Sequence, residues 1–468
     1  MNSAIEQLRP RLEAHGQTHV LQWWDELSSA QQTDLAAQLS AVDFDLLEQV
    51  RTKAGDAPAA ADAPPRADIA TAPQSLVPQP ATAEQQAQWA AAADAGGALL
   101  KDNRIAVITV AGGQGSRLGF DHPKGMFPVG PATDRTLFQI FAEQILARRR
   151  QFDCAIPWLI MTSSATHQET LDYLTASNYF GLPADTVHLF QQGSMPAVDQ
   201  QTGKLLMKNH AELCLSPDGH GGLITALKSS GLLAQMKTAG VEHFFYHQVD
   251  NPTVIMCDPA LLGLHAEAGS QLTTNVVRKV SPTEKMGVLA DVNGRLEIIE
   301  YSELNTEQAH RKDADGNDVF WAGNTAIHVF ARSFFEELTS EGCALELHLA
   351  SKKVAHITAD DQTVTPDEPN AFKFERFIFD ALPLAETTLV VEGDREREFN
   401  PVKNAEGNDS PATSKAALVS IYTNWMAAAG LTVPADRIPE ISPLIAQEAA
   451  QLAAAVAAGE VTIEQFLG

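Results

Sequence analysis

The segment Ile105–Gly130, IAVITVAGGQGSRLGFDHPKGMFPVG, constrains the fold of this chain more than any other stretch. Its first six residues, Ile105–Val110, are almost all apolar and mostly β-branched, which predicts a buried strand. The strand leads into a turn with three glycines, Gly112, Gly113 and Gly115. Such a turn lets backbone N–H groups approach an anion closely, because no Cβ stands in the way. Arg117 and Lys124 follow, and this pattern is suited to holding a triphosphate.

Two better-known phosphate-binding motifs do not fit this segment. The P-loop pattern of Gly, four residues and Gly-Lys-Ser/Thr is absent, and the third glycine of a dinucleotide fingerprint falls one place late, at Gly119. The following HPKGMFPVGP contains three prolines, so no long helix begins there. A glycine turn alone is equally compatible with a purely structural role. The Arg-Leu-Gly and Pro-Lys-Gly that follow it favour phosphate binding.

Strands and helices alternate from about Ile105 onwards. The predicted strands are IAVITV, WLIMTS, VHLF, HFFYHQV and TTNVVRKV, and Leu137–Arg149 and Leu223–Thr238 have helical patterns. This alternation predicts an α/β fold with a mostly parallel sheet and helices on both faces. Ligands in such sheets bind at the carboxyl ends of the strands. The loops after IAVITV and HFFYHQV lie there, so we expect Gly113 and Asp250 to face one crevice.

The flanking regions differ from this α/β segment. Residues 1–53 have helical spacing of apolar residues, and residues 54–81 have the Ala/Pro-rich composition of a linker. Thr82 is a candidate cap for a helix that ends at the glycine pair Gly96–Gly97. We therefore predict a helical region with a linker at 1–100, a catalytic domain at 101–381 and a small C-terminal domain at 382–468.

Composition excludes several classes of function. A formal net charge of −26 argues against nucleic acid as a partner. The four cysteines are widely spaced, which disfavours a disulfide framework or a zinc site and fits a reducing cytoplasm. No signal peptide and no run of 18 apolar residues is evident, so we expect no membrane span.

The glycine segment resembles the signature of the UDP-sugar pyrophosphorylases, in particular of the eukaryotic-type UDP-N-acetylglucosamine (UDP-N-acetylhexosamine) pyrophosphorylases. That signature is roughly LAGGQGTRLG followed by PKGM, and this chain differs mainly by Ser116, which keeps the hydroxyl. The resemblance continues in order through TLFQIFAEQI, PWLIMTS, FQQGSMPA, SPDGHGGL, QVDNP, IIEYSEL, AGNTAIH and FNPVKN. It implies a Rossmann-like nucleotidyltransferase mixed sheet and attack by a sugar 1-phosphate on the α-phosphorus of UTP.

This reaction needs no general base, because a phosphate monoester is already anionic near neutral pH. It requires alignment of charged groups and neutralisation of the growing charge. Arg117 is the candidate for the β- and γ-phosphates, since its planar fork binds phosphate oxygens in pairs. Lys124 is the candidate for the α-phosphate. Lys403, in NPVKN, is similar to the family's C-terminal lysine that reaches the phosphates.

The resemblance also implies residues that bind the nucleotide and a metal. Asp250, in Val-Asp-Asn-Pro, is the candidate Mg²⁺ ligand, with Asn251 supporting it, although an Asp at this position often only forms a turn. Gln192 is the candidate for reading the O4/N3–H edge of uracil. The remaining candidate nucleotide contacts come from the glycine turns, Ala111, Gly112, Gly113, Gly115 and Gly219. His220 stands where the family usually has Asn, which leaves its role open.

For the sugar, the resemblance points to four residues, Gly287, Glu300, Tyr301 and Asn324. The expected function is formation of UDP-N-acetylglucosamine and pyrophosphate from UTP and N-acetylglucosamine 1-phosphate. The alternatives are a UDP-glucose or UDP-galactose pyrophosphorylase of broader sugar range and a non-catalytic nucleotide-sugar-binding protein. The oligomeric state and the preferred sugar stay open.

Overall fold

The computed structural model describes residues 2–55 and 65–462, which form two compact units. The larger unit comprises Pro64–Gln191, Ile224–Gly342 and Ala381–Gly468. The smaller unit comprises Met1–Ala63, Gln192–Leu223 and Cys343–Asp380. Because the units interleave along the chain, they are defined by packing and not by sequence order. The division into three successive domains stays a prediction.

A ten-stranded mixed sheet lies at the centre of the larger unit. In spatial order its main path is Leu76–Val77, Thr388–Glu392, Leu272–Arg278, Ala322–Ala331, His243–Gln248, Ile105–Val110, Trp158–Thr162 and Val187–Gln191. The hairpin of Val288–Val292 and Arg295–Ile299 joins the sheet through Ala322–Ala331. Along the path, Ala322–Ala331 runs antiparallel to both neighbours and the other pairs are parallel. The predicted α/β class with a mixed sheet is confirmed.

Helices surround this sheet and bury its apolar side chains. They are Arg66–Ile69, Ala83–Lys101, Leu137–Phe152, His167–Ala176, Leu223–Ser229, Leu232–Thr238, Pro259–Glu267, Thr306–Ala309, Arg332–Leu338, Arg395–Glu398, Pro411–Ala428 and Ala449–Ala457. The first four residues of Ile105–Val110 are completely buried, as are Phe138 and Phe141 of the helix Leu137–Phe152. Among the described residues, no helix combines the length and the apolar character needed to cross a bilayer.

One helix does not end where the sequence pattern predicts. The helix that Thr82 caps runs through the pair Gly96–Gly97 to Lys101 instead of ending there. A Cβ at Gly96 would lie 1.9 Å from the carbonyl oxygen of Pro259, and one at Gly263 would lie 1.8 Å from that of Ala92. The small residues therefore let the helices Ala83–Lys101 and Pro259–Glu267 touch backbone to backbone.

Two further expectations need correction. The predicted helix Leu223–Thr238 is two helices, Leu223–Ser229 and Leu232–Thr238, because Gly231 adopts φ +78° between them. Part of the predicted linker is ordered against the sheet: Leu76–Val77 forms its edge strand, and Thr71 pairs with Asp291. Positions 56–64 of that linker lie outside the described residues.

In its described residues, the smaller unit packs three helices and several short strands around its own core. The helices are Asn2–Ala14, Ser29–Ala41 and Phe44–Gly55. The strands are Ser194–Pro196, Val198–Asp199, Met207–Asn209, Glu212–Leu213, Leu215–Pro217, His348–Lys352, His356–Ile357, Thr363–Val364 and Ala371–Glu375. Ser28 caps the second helix, and Leu12, Leu35 and Phe374 are fully buried.

The register of the central strands places two loops side by side. Val110, the last residue of its strand, pairs with Gln248 of one parallel neighbour and with Met161 of the other. The three strands therefore end at the same edge of the sheet. The glycine turn and the Asp250 turn both leave from that edge, as the strand pattern predicts.

Candidate functional site

The glycine turn is folded back on itself by its own backbone. The N–H of Gly115 donates to the carbonyl of His122 at 2.9 Å, and the N–H of Lys124 donates to that of Gly113 at 3.1 Å. Arg117 and Lys124 each lie in a short 3-10 turn, Ser116–Leu118 and Lys124–Met126. Both cations are thus held on one closed loop at the end of a buried strand.

The glycines of this turn serve different purposes. A Cβ at Gly115 would lie 2.8 Å from Phe120, so glycine is required there for packing. A Cβ at Gly113 would meet nothing within 4 Å, which leaves its backbone facing open space. Gly112 accepts a hydrogen bond from the Ser163 hydroxyl at 2.7 Å, and Ala111 is buried. The turn therefore presents backbone at Gly113 from a rigid support.

Three cations and one acid meet beside this turn. Burial lowers the pKa of the Lys124 ammonium; the Asp250 carboxylate opposes that change, and Lys403 and Arg117 add to it. Three of the predicted phosphate and metal residues thus act electrostatically on the fourth. Among the described residues, none forms a salt bridge with these three cations, so their charge is available to a ligand.

Backbone and amide hydrogen bonds join the Asp250 turn to the segment that carries Lys403. The N–H of Val402 donates to the Asp250 carbonyl at 2.8 Å. The Asn251 side chain is buried; it donates to the Glu398 carbonyl at 2.6 Å and accepts from the N–H of Asn400 at 3.1 Å. Asn251 therefore positions the C-terminal segment against the strand edge.

Lys403 itself is steadied from its other side. Its N–H donates to the Asp409 carbonyl at 2.6 Å, and its ammonium lies 5.2 Å from the centre of the Phe399 ring. Burial raises the pKa of the Asp409 carboxyl, and the nearby Lys403 opposes that rise. Lys403 is thus held in place without an ion pair that would neutralise it.

Three of the four candidate sugar residues lie together in the larger unit. The N–H of Asn324 donates to the Gly287 carbonyl at 2.9 Å, and a Cβ at Gly287 would lie 3.2 Å from a Glu300 carboxylate oxygen. Burial raises the pKa of Glu300, Glu303 adds to the rise and Lys403 opposes it. This cluster therefore lies within electrostatic reach of the cationic site.

Tyr301, the fourth candidate, is 46% exposed in the 3-10 turn Tyr301–Glu303. The Asn324 side-chain oxygen accepts from the N–H of Ala326, a non-glycine residue at φ +57°. That bond orients the Asn324 amide, so its nitrogen is the atom free to contact a ligand.

Gln192 and Gly219 lie together in the smaller unit. The Gln192 amide nitrogen donates to the Gly219 carbonyl at 3.3 Å. Gly219 adopts φ +85°, and a Cβ there would lie 2.4 Å from the carbonyl oxygen of Arg376. Burial raises the pKa of the neighbouring Asp218, while Arg376 and the Gln192 amide oppose the rise. Glycine at 219 is therefore required by conformation and by space.

His220 has a structural role in this turn. Its Nδ1 accepts a hydrogen bond from the N–H of Ile378 at 3.1 Å, and its ring lies against Phe377 and Phe379. Burial lowers the pKa of His220 to about 4, although Asp380 opposes the change. The ring is therefore neutral near pH 7 and serves as an acceptor for the backbone.

The donor set suits a Mg²⁺ ion that shares its ligands with a substrate. Within the described part of the chain, no group of three or more His, Cys, Asp or Glu side chains is arranged to hold a metal. Mg²⁺ at phosphate-transfer sites needs only one or two carboxylates, because substrate oxygens and water supply the other ligands. Asp250, at a strand edge among phosphate-binding candidates, meets that requirement.

Three supporting residues were missed by the sequence analysis, namely Ser163, Asp218 and Asp409. Ser163 directly follows the strand Trp158–Thr162, so the strand-end rule that selected Asp250 could also have found it. Asp218 belongs to the quoted SPDGHGGL, but only its position beside Gln192 reveals its use. Asp409 has no comparable signal, since its contact with Lys403 spans a surface loop.

Comparisons with known proteins agree with the fold and identify the family. The profile of the family UDPGP, UTP–glucose-1-phosphate uridylyltransferase, matches residues 66–448. The chain is 37% identical to the UDP-N-acetylglucosamine pyrophosphorylase of Saccharomyces cerevisiae over 72% of this chain and 73% of that protein. It is 34% identical to the human UDP-N-acetylhexosamine pyrophosphorylase-like protein 1 over 91% of this chain and 86% of that protein.

A solved structure extends the similarity to the fold of nearly the whole chain. The uridine diphosphate N-acetylglucosamine pyrophosphorylase of Trypanosoma brucei superposes with a TM-score of 0.81 at 24% identity. The match covers 98% of this chain and 95% of that structure. The matched profile spans the glycine turn, Asp250, the sugar cluster and Lys403. The chain therefore belongs to the UTP–glucose-1-phosphate uridylyltransferase family.

Proposed function

We propose that this chain is a cytoplasmic, Mg²⁺-dependent uridylyltransferase that forms UDP-N-acetylglucosamine and pyrophosphate from UTP and N-acetylglucosamine 1-phosphate. The observation that carries the proposal is the cluster of Lys124, Arg117 and Lys403 beside Asp250. Its cations lack salt-bridge partners among the described residues, so a polyphosphate can take that place. Similarity to relatives named for N-acetylglucosamine and N-acetylhexosamine supports the choice of sugar.

The proposed chemistry is a displacement at phosphorus. A sugar 1-phosphate oxygen forms a bond to the α-phosphorus of UTP, and the bond from that phosphorus to the bridging oxygen of the β-phosphate breaks. The electron pair leaves with pyrophosphate. Lys124 holds the α-phosphate, Arg117 binds the β- and γ-phosphates, and Lys403 offsets charge between the two substrates. Preorganised cations of this kind stabilise the transition state because they need no rearrangement.

Asp250 would hold Mg²⁺ together with phosphate oxygens. The ion supplies charge neutralisation on the phosphates when it is bound. The Asp250 backbone is fixed by Val402, so the carboxylate has a defined position at the strand edge. Burial lowers the pKa of Lys124, and the same carboxylate opposes that change and so favours the cation that the α-phosphate needs.

The sugar cluster supports recognition of an acetamido group. The Asn324 amide nitrogen is available as a donor, because its oxygen is occupied by Ala326. The Glu300 carboxylate can accept bonds from two sugar hydroxyls. A site built around such hydrogen bonds rejects analogues that leave its polar groups unpaired. Glucose 1-phosphate lacks the amide and should therefore react more slowly.

The test is pyrophosphate release from UTP with Mg²⁺ and a panel of three sugar 1-phosphates, those of N-acetylglucosamine, glucose and galactose. We expect the highest kcat/KM with N-acetylglucosamine 1-phosphate. Equal or better turnover of glucose 1-phosphate would favour the broader sugar range that the family description suggests. Nucleotide binding without any pyrophosphate release would identify a non-catalytic binding protein.

A further inference from the structure

The Gln192 side chain has fewer hydrogen-bonding groups available to a ligand than a free amide has. A free amide nitrogen has two hydrogens to donate, and its oxygen can accept. The Gln192 nitrogen faces the Gly219 carbonyl at 3.3 Å, and a carbonyl can only accept, so the nitrogen must lie on that side. The Asp218 carboxylate lies beside the same amide and interacts favourably with it. The nitrogen therefore faces two acceptors of the protein, and the oxygen is the atom left for a ligand.

Asp218 is built tightly into this position. Only 4% of its surface is exposed, its N–H donates to the Gly193 carbonyl at 3.1 Å, and its carbonyl accepts from the N–H of Arg376 at 2.7 Å. A Cβ at Gly193 would lie 2.5 Å from one carboxylate oxygen, and a Cβ at Gly222 would lie 2.1 Å from the other. Two glycines therefore make the space that the carboxylate occupies.

The Asp218 carboxylate can accept a further hydrogen bond. Its Oδ1 is buried and has no hydrogen-bond partner in the protein. A buried acceptor without a partner is costly and needs a compensating role. Burial raises the pKa of this carboxyl, and the nearby Arg376 opposes that rise and favours the ionised form, in which both oxygens accept and neither donates. An acceptor-only group beside Gln192 can orient the amide in one direction only.

We propose that Asp218 is a positioning residue that holds the Gln192 amide with its oxygen towards the nucleobase, and that this orientation selects uracil over cytosine. The inference rests on the proposed function and names a determinant of its nucleotide specificity. Uracil carries a hydrogen on N3 that the amide oxygen accepts. Cytosine has a bare, acceptor N3, which would face the amide oxygen without a hydrogen between them. If the amide could turn over, its nitrogen would serve cytosine and the distinction would weaken.

The experiment measures kcat/KM for UTP and for CTP and takes their ratio. It uses the full chain as wild type, Asp218→Ala, Asp218→Asn, Gln192→Ala and the two double variants with Gln192→Ala. Asp218→Ala should lower the UTP-to-CTP ratio roughly tenfold, because only the 3.3 Å contact with the Gly219 carbonyl then opposes rotation of the amide towards the orientation that serves cytosine. Asp218→Asn keeps the volume but can present an oxygen or an NH₂ group, so its ratio should fall by less.

The Gln192→Ala background separates positioning from general damage. There, neither Asp218 substitution should change the ratio, since no amide remains to be oriented. A loss that is equal for UTP and CTP in both backgrounds means that Asp218 is only structural and overturns the inference. If Asp218→Ala does not fold, the Asp218→Asn pair decides by the same criterion. A wild type that does not turn over UTP contradicts the proposed function instead.

Discussion

Two groups of cations lie in the larger unit, and they differ in what satisfies them. The guanidinium of Arg148 donates to the Met256 carbonyl at 3.2 Å and to the Gln151 side chain at 2.8 Å. Arg397 donates to the carbonyls of Thr253 and Gln447, each at 3.1 Å. Burial lowers the pKa of Arg148, and the nearby Asp258 opposes that change. These arginines are completed by the protein itself.

The cations beside the glycine turn are not completed in this way. Burial lowers the pKa of Lys124, and two neighbouring cations, Lys403 and Arg117, lower it further. Within the described part of the chain, Asp250 is the one neighbour found to act in the opposite direction. The comparison teaches that burial of a cation does not identify a site. A cluster of cations that the protein does not neutralise does identify a ligand site, because an anionic ligand must then supply the compensating negative charge.

The largest effect should come from removing a cation of the second group. Arg117→Met and Lys403→Met should each lower kcat for uridylyl transfer by about 10²–10³, the usual loss of a preorganised charge stabiliser. The melting temperature should stay close to wild type, because neither cation forms a salt bridge with a residue that the structure describes. Steady-state pyrophosphate release and a thermal melt check both statements.

Arg150→Met serves as the matched control, since Arg150 is an exposed arginine in the last turn of the helix Leu137–Phe152. It should leave both kcat and the melt unchanged. If Arg117→Met behaves like this control, Arg117 does not bind phosphate.

Asp250 should affect turnover and metal use together. Asp250→Asn should lower kcat by about 10²-fold and raise the Mg²⁺ concentration needed for half-maximal rate, because an amide is a weaker ligand than a carboxylate. A Mg²⁺ titration of pyrophosphate release at fixed UTP measures both. A titration that superposes on wild type removes Asp250 from the metal site.

The pH profile of kcat/KM, which reports the free enzyme, should shift on its alkaline side in opposite directions when Arg117 and Asp250 are substituted. Lys124 must be protonated, and its pKa in the fold is below its ordinary value. Activity is therefore lost as pH rises through that lowered pKa. Arg117→Met removes a repelling cation and should move the limb to higher pH, whereas Asp250→Asn should move it to lower pH. Shifts in one common direction would contradict this assignment.

Substitution of the arginines that bond within the protein, Arg148 and Arg397, should lower stability and leave the reaction rate unchanged. Arg148→Met leaves the Met256 carbonyl and the Gln151 side chain without their donor, and we expect the free energy of unfolding to fall by about 1–3 kcal/mol. The folded fraction should keep its kcat. Urea unfolding, with kcat normalised to active protein, tests this. A large kcat loss at unchanged stability would place Arg148 in the reaction.

His220 should show the smallest effect, confined to acid pH. Its pKa of about 4 in the fold is below the unfolded value near 6.5, so the unfolded chain takes up a proton that the fold does not. Stability therefore falls as pH drops from about 6.5 to about 4, by on the order of 2–3 kcal/mol. His220→Asn should remove this decline without changing kcat at pH 7.5. Equal acid sensitivity in both proteins would show that other groups cause it.

Much of the larger unit could be predicted because its signals are local. The strand Ile105–Val110 has the predicted bounds, and the strand ends place the glycine turn beside Asp250. Gly96 misled the prediction, since its purpose is contact with Pro259, which lies far along the chain. Gly231, by contrast, has a local effect that the helical pattern of its neighbours concealed.

The site divides in the same manner. Arg117 and Lys124 lie close to the glycines in sequence, so their role in phosphate binding could be predicted from the motif. The hydrogen bonds from Asn251 to Glu398 and from Lys403 to Asp409 join residues that no local sequence motif connects. The same holds for Arg148 and Asp258, whose mutual compensation depends on packing between helices. Long-range partners of this kind are visible only in the fold.

The central claim is that the cations beside the glycine turn, which the protein does not neutralise, promote uridylyl transfer. Substitution of Lys124 tests this claim most directly. The measurement is kcat for UDP-N-acetylglucosamine formation from UTP, Mg²⁺ and N-acetylglucosamine 1-phosphate, for wild type and Lys124→Met of matched thermal stability. We predict ready turnover by wild type and a loss of about 10²–10³ in the variant. Turnover by Lys124→Met within a few-fold of wild type would contradict the account.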